Sequence, residues 1–168
     1  PVWPSAGVAL AAVLLWGYEI WVAIFLGAFL LHITFHGIST TSVITGFSIG
    51  LGNTIAPILA TFLLKQLGDL RTLLDYSQTV IRFVVLGAML SPLVSAAIGV
   101  TSLCISGRAP WDLYGNLWWT WWTSNGVGIL VFTPLLLIWR KFPLRRNRLS
   151  MQRIAEFSLL LLLFVGIS

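Results

Sequence analysis

Apolar and polar positions alternate in long blocks along this chain, not residue by residue. Membrane-spanning helices need about 20 consecutive apolar residues, and the blocks are measured against that length. The first, Ala6 to Trp16, is short for a full crossing, and Gly17-Tyr18-Glu19 predicts a turn after it. The second runs from Ile20 to about Thr34 and ends near His36-Gly37. The uncharged stretch 37–42 reads as a tight loop. The third block extends from Val43 to Leu64 and ends at Lys65. Residues 65–78 hold Lys65, Asp69, Arg71 and Asp75, a water-facing connection in which Arg71 to Val80 could form a short interfacial helix. The fourth block, Ile81 to Ile105, is interrupted by Pro92, which a membrane helix tolerates where neighbours satisfy the freed carbonyl. Residues 106–115 carry turn chemistry. The fifth block spans Asn116 to Trp139, with Trp118, Trp119, Trp121 and Trp122 at its start and Trp139 at its end. Tryptophans at both ends of one span form an aromatic belt. A last block starts at Ile154. The pattern predicts an all-α fold, a polytopic transmembrane helix bundle.

Composition agrees. Of 168 residues, 58% are hydrophobic and 9% charged, against roughly 25% charged in soluble domains. The net charge of +5 is concentrated in Arg140, Lys141, Arg145, Arg146, Arg148 and Arg153. A basic run can bind nucleic acid, but apolar blocks flank this one. Residues 140–153 therefore read as a juxtamembrane cytoplasmic loop facing lipid headgroups, and no nucleic-acid partner is expected. The positive-inside rule then sets every other connection. The 106–115 and 37–42 loops fall outside, and the 65–78 loop and 17–19 turn fall inside. Lys65 and Arg71, with Arg82 just beyond, agree with that assignment. Arg108 is the one basic residue placed outside, offset by Asp112. The chain opens on Pro1 and stops at Ser168 within an apolar run, so residues 1–168 read as one transmembrane domain excerpted without its first helix and its last return helix.

Apolar burial does not join helices in lipid; close backbone approach and interhelical hydrogen bonds do. Gly46 and Gly50 form a GxxxG step continued by Gly52, Ala56 and Ala60. Gly87, Ser91, Ser95 and Gly99 are spaced by four along the next block. Both faces are expected to meet other helices. Asn53 and Asn125 lie within spans, where an unpaired polar group is costly. Each either bonds a neighbouring helix or lines a ligand cavity.

His32 and His36 are spaced to share one helix face, as a metal or haem site requires. Two ligands do not make a site, and the alternative is an interfacial pair. The tryptophans at 118–122, with Trp111, could cage a cationic or quinone-like ligand or anchor a helix at the interface. Cys104 is the single cysteine, so a CxxC motif is excluded. The sequence holds no Walker loop, dinucleotide glycine pattern, GxSxG elbow or paired-carboxylate arrangement. No catalytic residue or cofactor is expected. The five acidic residues fall in loops or at span ends, which argues against a proton-coupled transporter.

Several stretches together resemble a known family. Pro1-Val2-Trp3-Pro4-Ser5-Ala6-Gly7-Val8-Ala9-Leu10 is similar to the start of the second helix of the membrane-associated sensor domain, class one (the MASE type). Phe25-Leu26-Gly27-Ala28-Phe29 and Gly50-Leu51-Gly52-Asn53-Thr54 resemble its next two helices. The second half is matched by the run from Leu90 to Val100, then Trp118 to Trp122, Gly126-Val127-Gly128 and Pro134-Leu135-Leu136-Leu137. The resemblance implies a bacterial inner-membrane module of about eight helices, N-terminal to a cytoplasmic output domain such as a histidine kinase or diguanylate cyclase. One departure stands at Thr123-Ser124-Asn125, where that family often carries an acidic residue. Candidate ligand-binding residues are Trp3, Pro4, Ser5, Trp121, Trp122 and Asn125 in the outer half, with Asn53 and Ser91 deeper. Membrane lipid, the output domain of the same chain, and a partner membrane protein or second copy are the expected partners. The alternative is a membrane transporter or its substrate-binding subunit, permitted by the breaks at Gly17 and Pro92.

Overall fold

A computed structural model describes residues 2–67 and 77–141. Helix α1 spans Pro4–Trp16, with proline in its first turn, where a missing N–H costs nothing. Its 13 residues reach about 20 Å, short of the roughly 30 Å hydrocarbon core. Gly17, at φ +90°, ends it, and its N–H bonds the Val13 carbonyl at 3.0 Å. One 3-10 turn, Tyr18–Ile20, leads into α2, Trp21–His36. Gly37 ends α2 in the same way, at φ +72°.

Helix α3, Thr40–Leu67, starts within the stretch expected to be a loop. The cause is a cap: Ser39 Oγ accepts the Ser42 N–H at 3.1 Å, which satisfies one of the free donors of a first turn. Helix α4, Ser77–Arg82, runs into a π-helical segment, Phe83–Leu90, and then α5, Ser91–Ile105. A second 3-10 turn, Trp111–Leu113, precedes α6, Tyr114–Lys141. The expectations for 68–76, for most of the basic loop 140–153 and for the block after Ile154 lie outside the described residues.

Among the described residues the fold is all-helical, and four stretches are long and apolar enough to cross a membrane: Tyr18–His36, Thr40–Gln66, Ser77–Ile105 and Trp111–Trp139. Helix α3 is central, packing on α2, α5, α1 and the π-helical segment. Its glycines allow this. A Cβ added at Gly50 would lie 3.0 Å from Phe25 of α2, and one at Gly52 would lie 3.1 Å from Ile98 of α5. Helices α1 and α6 come closer still. A Cβ added at Gly7 would run into the Gly128 backbone and one at Gly128 into the Trp3 backbone, and Thr133 Oγ1 donates to the Gly7 carbonyl at 2.9 Å. A core of Leu10, Ala60, Leu64, Phe83, Ala88 and Ile129 fills the bundle where α1, α3, the π-helical segment and α6 converge.

Candidate functional site: a cavity with two polar poles

The first pole is a hydroxyl shared by three helices. Ser95 Oγ on α5 donates to Asn53 Oδ1 on α3 at 2.8 Å. It accepts from Trp121 Nε1 and Asn125 Nδ2 on α6, each at 3.2 Å. Both mid-span asparagines are thus bonded to a neighbouring helix. Pro57 stands one turn beyond Asn53 and removes the donor that would bond the Asn53 carbonyl.

The second pole lies toward the C-terminal end of α2. The His32 and His36 rings stack at 4.3 Å, and His36 Nδ1 lies 3.1 Å from the His32 carbonyl. His36 is exposed. His32 is 7% exposed, and its Nε2 is buried without a hydrogen-bond partner among the described residues. A belt closes this end: Arg108 Nη2 donates to Ser42 Oγ, which donates to the His36 carbonyl at 3.4 Å. Among the described residues no group of three or more His, Cys, Asp or Glu is placed to hold a metal.

Between the poles is a cavity of about 910 Å³ bounded by α1, α2, α3, α5 and α6. That size suits a small organic ligand. Its walls are apolar and no Asp, Glu, Lys or Arg lines it. Trp3, Ser5, Asn53, Ser91, Trp121 and Asn125 all line it, as do both histidines. Pro4 and Trp122 are not among its lining residues. Pro4 begins α1. Trp122 is directed to a different neighbour: it stacks on Trp118 at 6.2 Å and donates from Nε1 to the Met89 carbonyl at 2.8 Å. The tryptophan run therefore divides by helical phase, with Trp121 at the cavity and Trp118, Trp119 and Trp122 clustered apart from it.

Sequence reasoning placed Ser95 on a packing face and did not foresee it as the hub of the polar network. Pro57, four residues after Asn53, marked Asn53 as a break in its helix but did not point to its partner.

An all-helical bundle with four span-length helices, exposing leucine, isoleucine and phenylalanine along its outer faces, defines a multi-pass membrane protein. The MASE1 family model matches residues 1–168, the whole chain, and the chain belongs to that family of membrane-associated sensor domains. Among curated relatives, a UPF0397 protein of Lacticaseibacillus casei (strain BL23) is 30% identical over 119 residues, 71% of this chain and 60% of that protein. The chain thus covers less than two thirds of that relative's length. No solved structure matches it.

Proposed function

We propose that this chain is the signal-input module of a bacterial inner-membrane protein, and that occupancy of the cavity is its stimulus. The supporting observation is that one cavity touches five helices while its polar floor ties three of them together through Ser95. A ligand shifts a two-state bundle only by binding one state better than the other. A molecule that hydrogen-bonds at Asn53 or Asn125 acts on the contacts that set the spacing of α3, α5 and α6. The change then passes to a cytoplasmic output domain in the same polypeptide, a histidine kinase or diguanylate cyclase. A second copy or a partner membrane protein is a further route for the signal.

The test uses the full-length protein. Asn125→Ala and Trp121→Ala are expected to alter output while the protein stays at wild-type level in the membrane. Normal output from both variants removes the cavity from the mechanism. One feature favours a second reading, a solute-binding membrane subunit: helix breakers stand at the cavity wall, Pro57 in α3 and Pro92 in α5, as in transporters that bind substrate at interrupted helices. Solute uptake by liposomes holding this protein would favour that reading over the first.

A further inference from the structure

Arg108 carries a charge that no other described residue answers. The charge pattern makes it the one basic residue on the outer side, offset by Asp112. The structure partners it otherwise. Its side chain crosses from the loop after α5 to the first turn of α3, where Nη2 donates to the buried Ser42 hydroxyl. Ser42 also accepts from Ser39 Oγ at 2.9 Å and donates to the His36 carbonyl. Among the described residues Arg108 forms no ion pair with Asp112 or any other carboxylate. Its Nε is buried without a partner. Nη1 is neither bonded nor buried among the described residues, so it is the open edge of the guanidinium. A half-buried guanidinium is costly without a counter-charge.

The surroundings are those of a headgroup layer. Helix α3 has 28 residues, about 42 Å of helix against a hydrocarbon core of roughly 30 Å, so its ends reach past the core. Ile38, in the loop before α3, is 88% exposed, and Ile105, the last residue of α5, is 74% exposed. Trp111, three residues beyond Arg108, is exposed as well. Bare apolar side chains on both sides of one cation fit the level where acyl chains meet headgroups. Neither Arg108 nor Ser42 lines the cavity, so this place is separate from the one the sensory reading uses. We infer that Arg108 binds the phosphate of an anionic phospholipid through its open Nη1 edge. Ser42 fixes the guanidinium, and Ile38 and Ile105 border the acyl chains. Guanidinium suits phosphate oxygens in charge and in shape. An anionic lipid is favoured over a zwitterionic one, whose own ammonium competes for the phosphate.

The experiment places the full-length protein in phosphatidylcholine nanodiscs. Bimane is attached to Thr41→Cys, an exposed position in the first turn of α3, in a background cleared of other cysteines. A local label reads lipid at this end alone. The lipid is exchanged stepwise for phosphatidylglycerol carrying a chain nitroxide, which quenches bimane, or in a parallel series for nitroxide phosphatidylcholine. Half-quenching is expected at an about fivefold lower fraction of phosphatidylglycerol, the weight of one cation at a membrane surface. Arg108→Gln should bring the two series together. Arg108→Lys keeps the charge without the fork and should retain part of the preference. Ile38→Ser, at a site too exposed to disturb packing, should weaken quenching in both series. Coincident series in the unmutated site overturn the proposal, as does an undiminished preference in folded Arg108→Gln. If Arg108→Gln fails to fold, Arg108→Lys carries the test, and a full preference there overturns the role of the guanidinium. Unchanged quenching in Ile38→Ser overturns the placement of the chains. Reversal of quenching by millimolar inorganic phosphate at constant ionic strength overturns the lipid in favour of a free phosphate.

Discussion

Ser95 uses the full hydrogen-bonding capacity of one hydroxyl, donating once and accepting twice. Within a bilayer no bulk water replaces a lost partner, so Ser95→Ala strands an acceptor on α3 and two donors on α6. Interhelical hydrogen bonds in membranes average about 0.6 kcal/mol each. The variant is therefore expected to lose roughly 1–3 kcal/mol, read as a lower unfolding midpoint in a denaturing detergent titration. Leucine at the same site adds volume between packed helices and should be worse than alanine. Gly50→Leu should behave alike, since even its first carbon would press on the Phe25 ring at 3.0 Å. Unchanged midpoints for both leucine variants would sink the account of α2, α3 and α5 packing through small residues. At this scale the asparagines were legible as polar groups stranded in apolar blocks. Their shared partner was not, because Ser95 is one of several small residues on its face and nothing local distinguishes it.

The fourth span shows how one helix compensates for a break in another. Pro92 has no N–H, so the carbonyl four residues earlier, at Ala88, loses its helical donor. The backbone just before it widens to a π-helix, with the Ser91 N–H bonded to the Leu86 carbonyl. Helix α6 covers the opened carbonyls. Trp122 Nε1 bonds Met89 at 2.8 Å, and Gly126 lies so close that an added Cβ would be 2.8 Å from the Ala88 oxygen. Trp122→Phe keeps the ring and removes the donor, and should cost about 1 kcal/mol in the unfolding titration. Gly126→Ala should cost more, because its new contact is with rigid backbone. Neither residue lines the cavity, so a folded Trp122→Phe protein should keep normal output where Asn125→Ala does not. Altered output from Trp122→Phe, at wild-type stability, would place the signal path in the π-helical segment. The existence and order of the helices were legible because polar residues mark their ends. The shortened 37–42 loop was missed because the Ser39 cap acts on backbone donors that an apolar–polar pattern does not register. The widened turn was missed because it depends on where α6 sits.

Across the whole molecule, the described residues place two polar boundaries on α3. Near its start, Ser42 holds Arg108 and the end of α2. Near its end, Lys65 lies over the Tyr18 ring at 4.3 Å, tying in the turn between α1 and α2. Ser42 and Lys65 are about 35 Å apart along the helix axis, slightly more than a hydrocarbon core of about 30 Å. Exposed tryptophans fit the same boundaries, with Trp16 and Trp21 flanking the Tyr18 turn and Trp111 in the loop that holds Arg108. The charge bias orients this slab. With the basic connections inside, the positive-inside rule predicts the Lys65 end at the cytoplasmic face and the His32 pole toward the outer side. Labelling tests the assignment. In a background cleared of other cysteines, including buried Cys104, Trp111→Cys and Gln78→Cys each expose a thiol at one boundary. A membrane-impermeant maleimide added to intact spheroplasts should label Trp111→Cys at once and Gln78→Cys only after lysis. The reverse pattern would turn the bundle over. The histidine pole would then face the cytoplasm, and a stimulus entering from the outer side would have to reach the cavity past the Lys65 end.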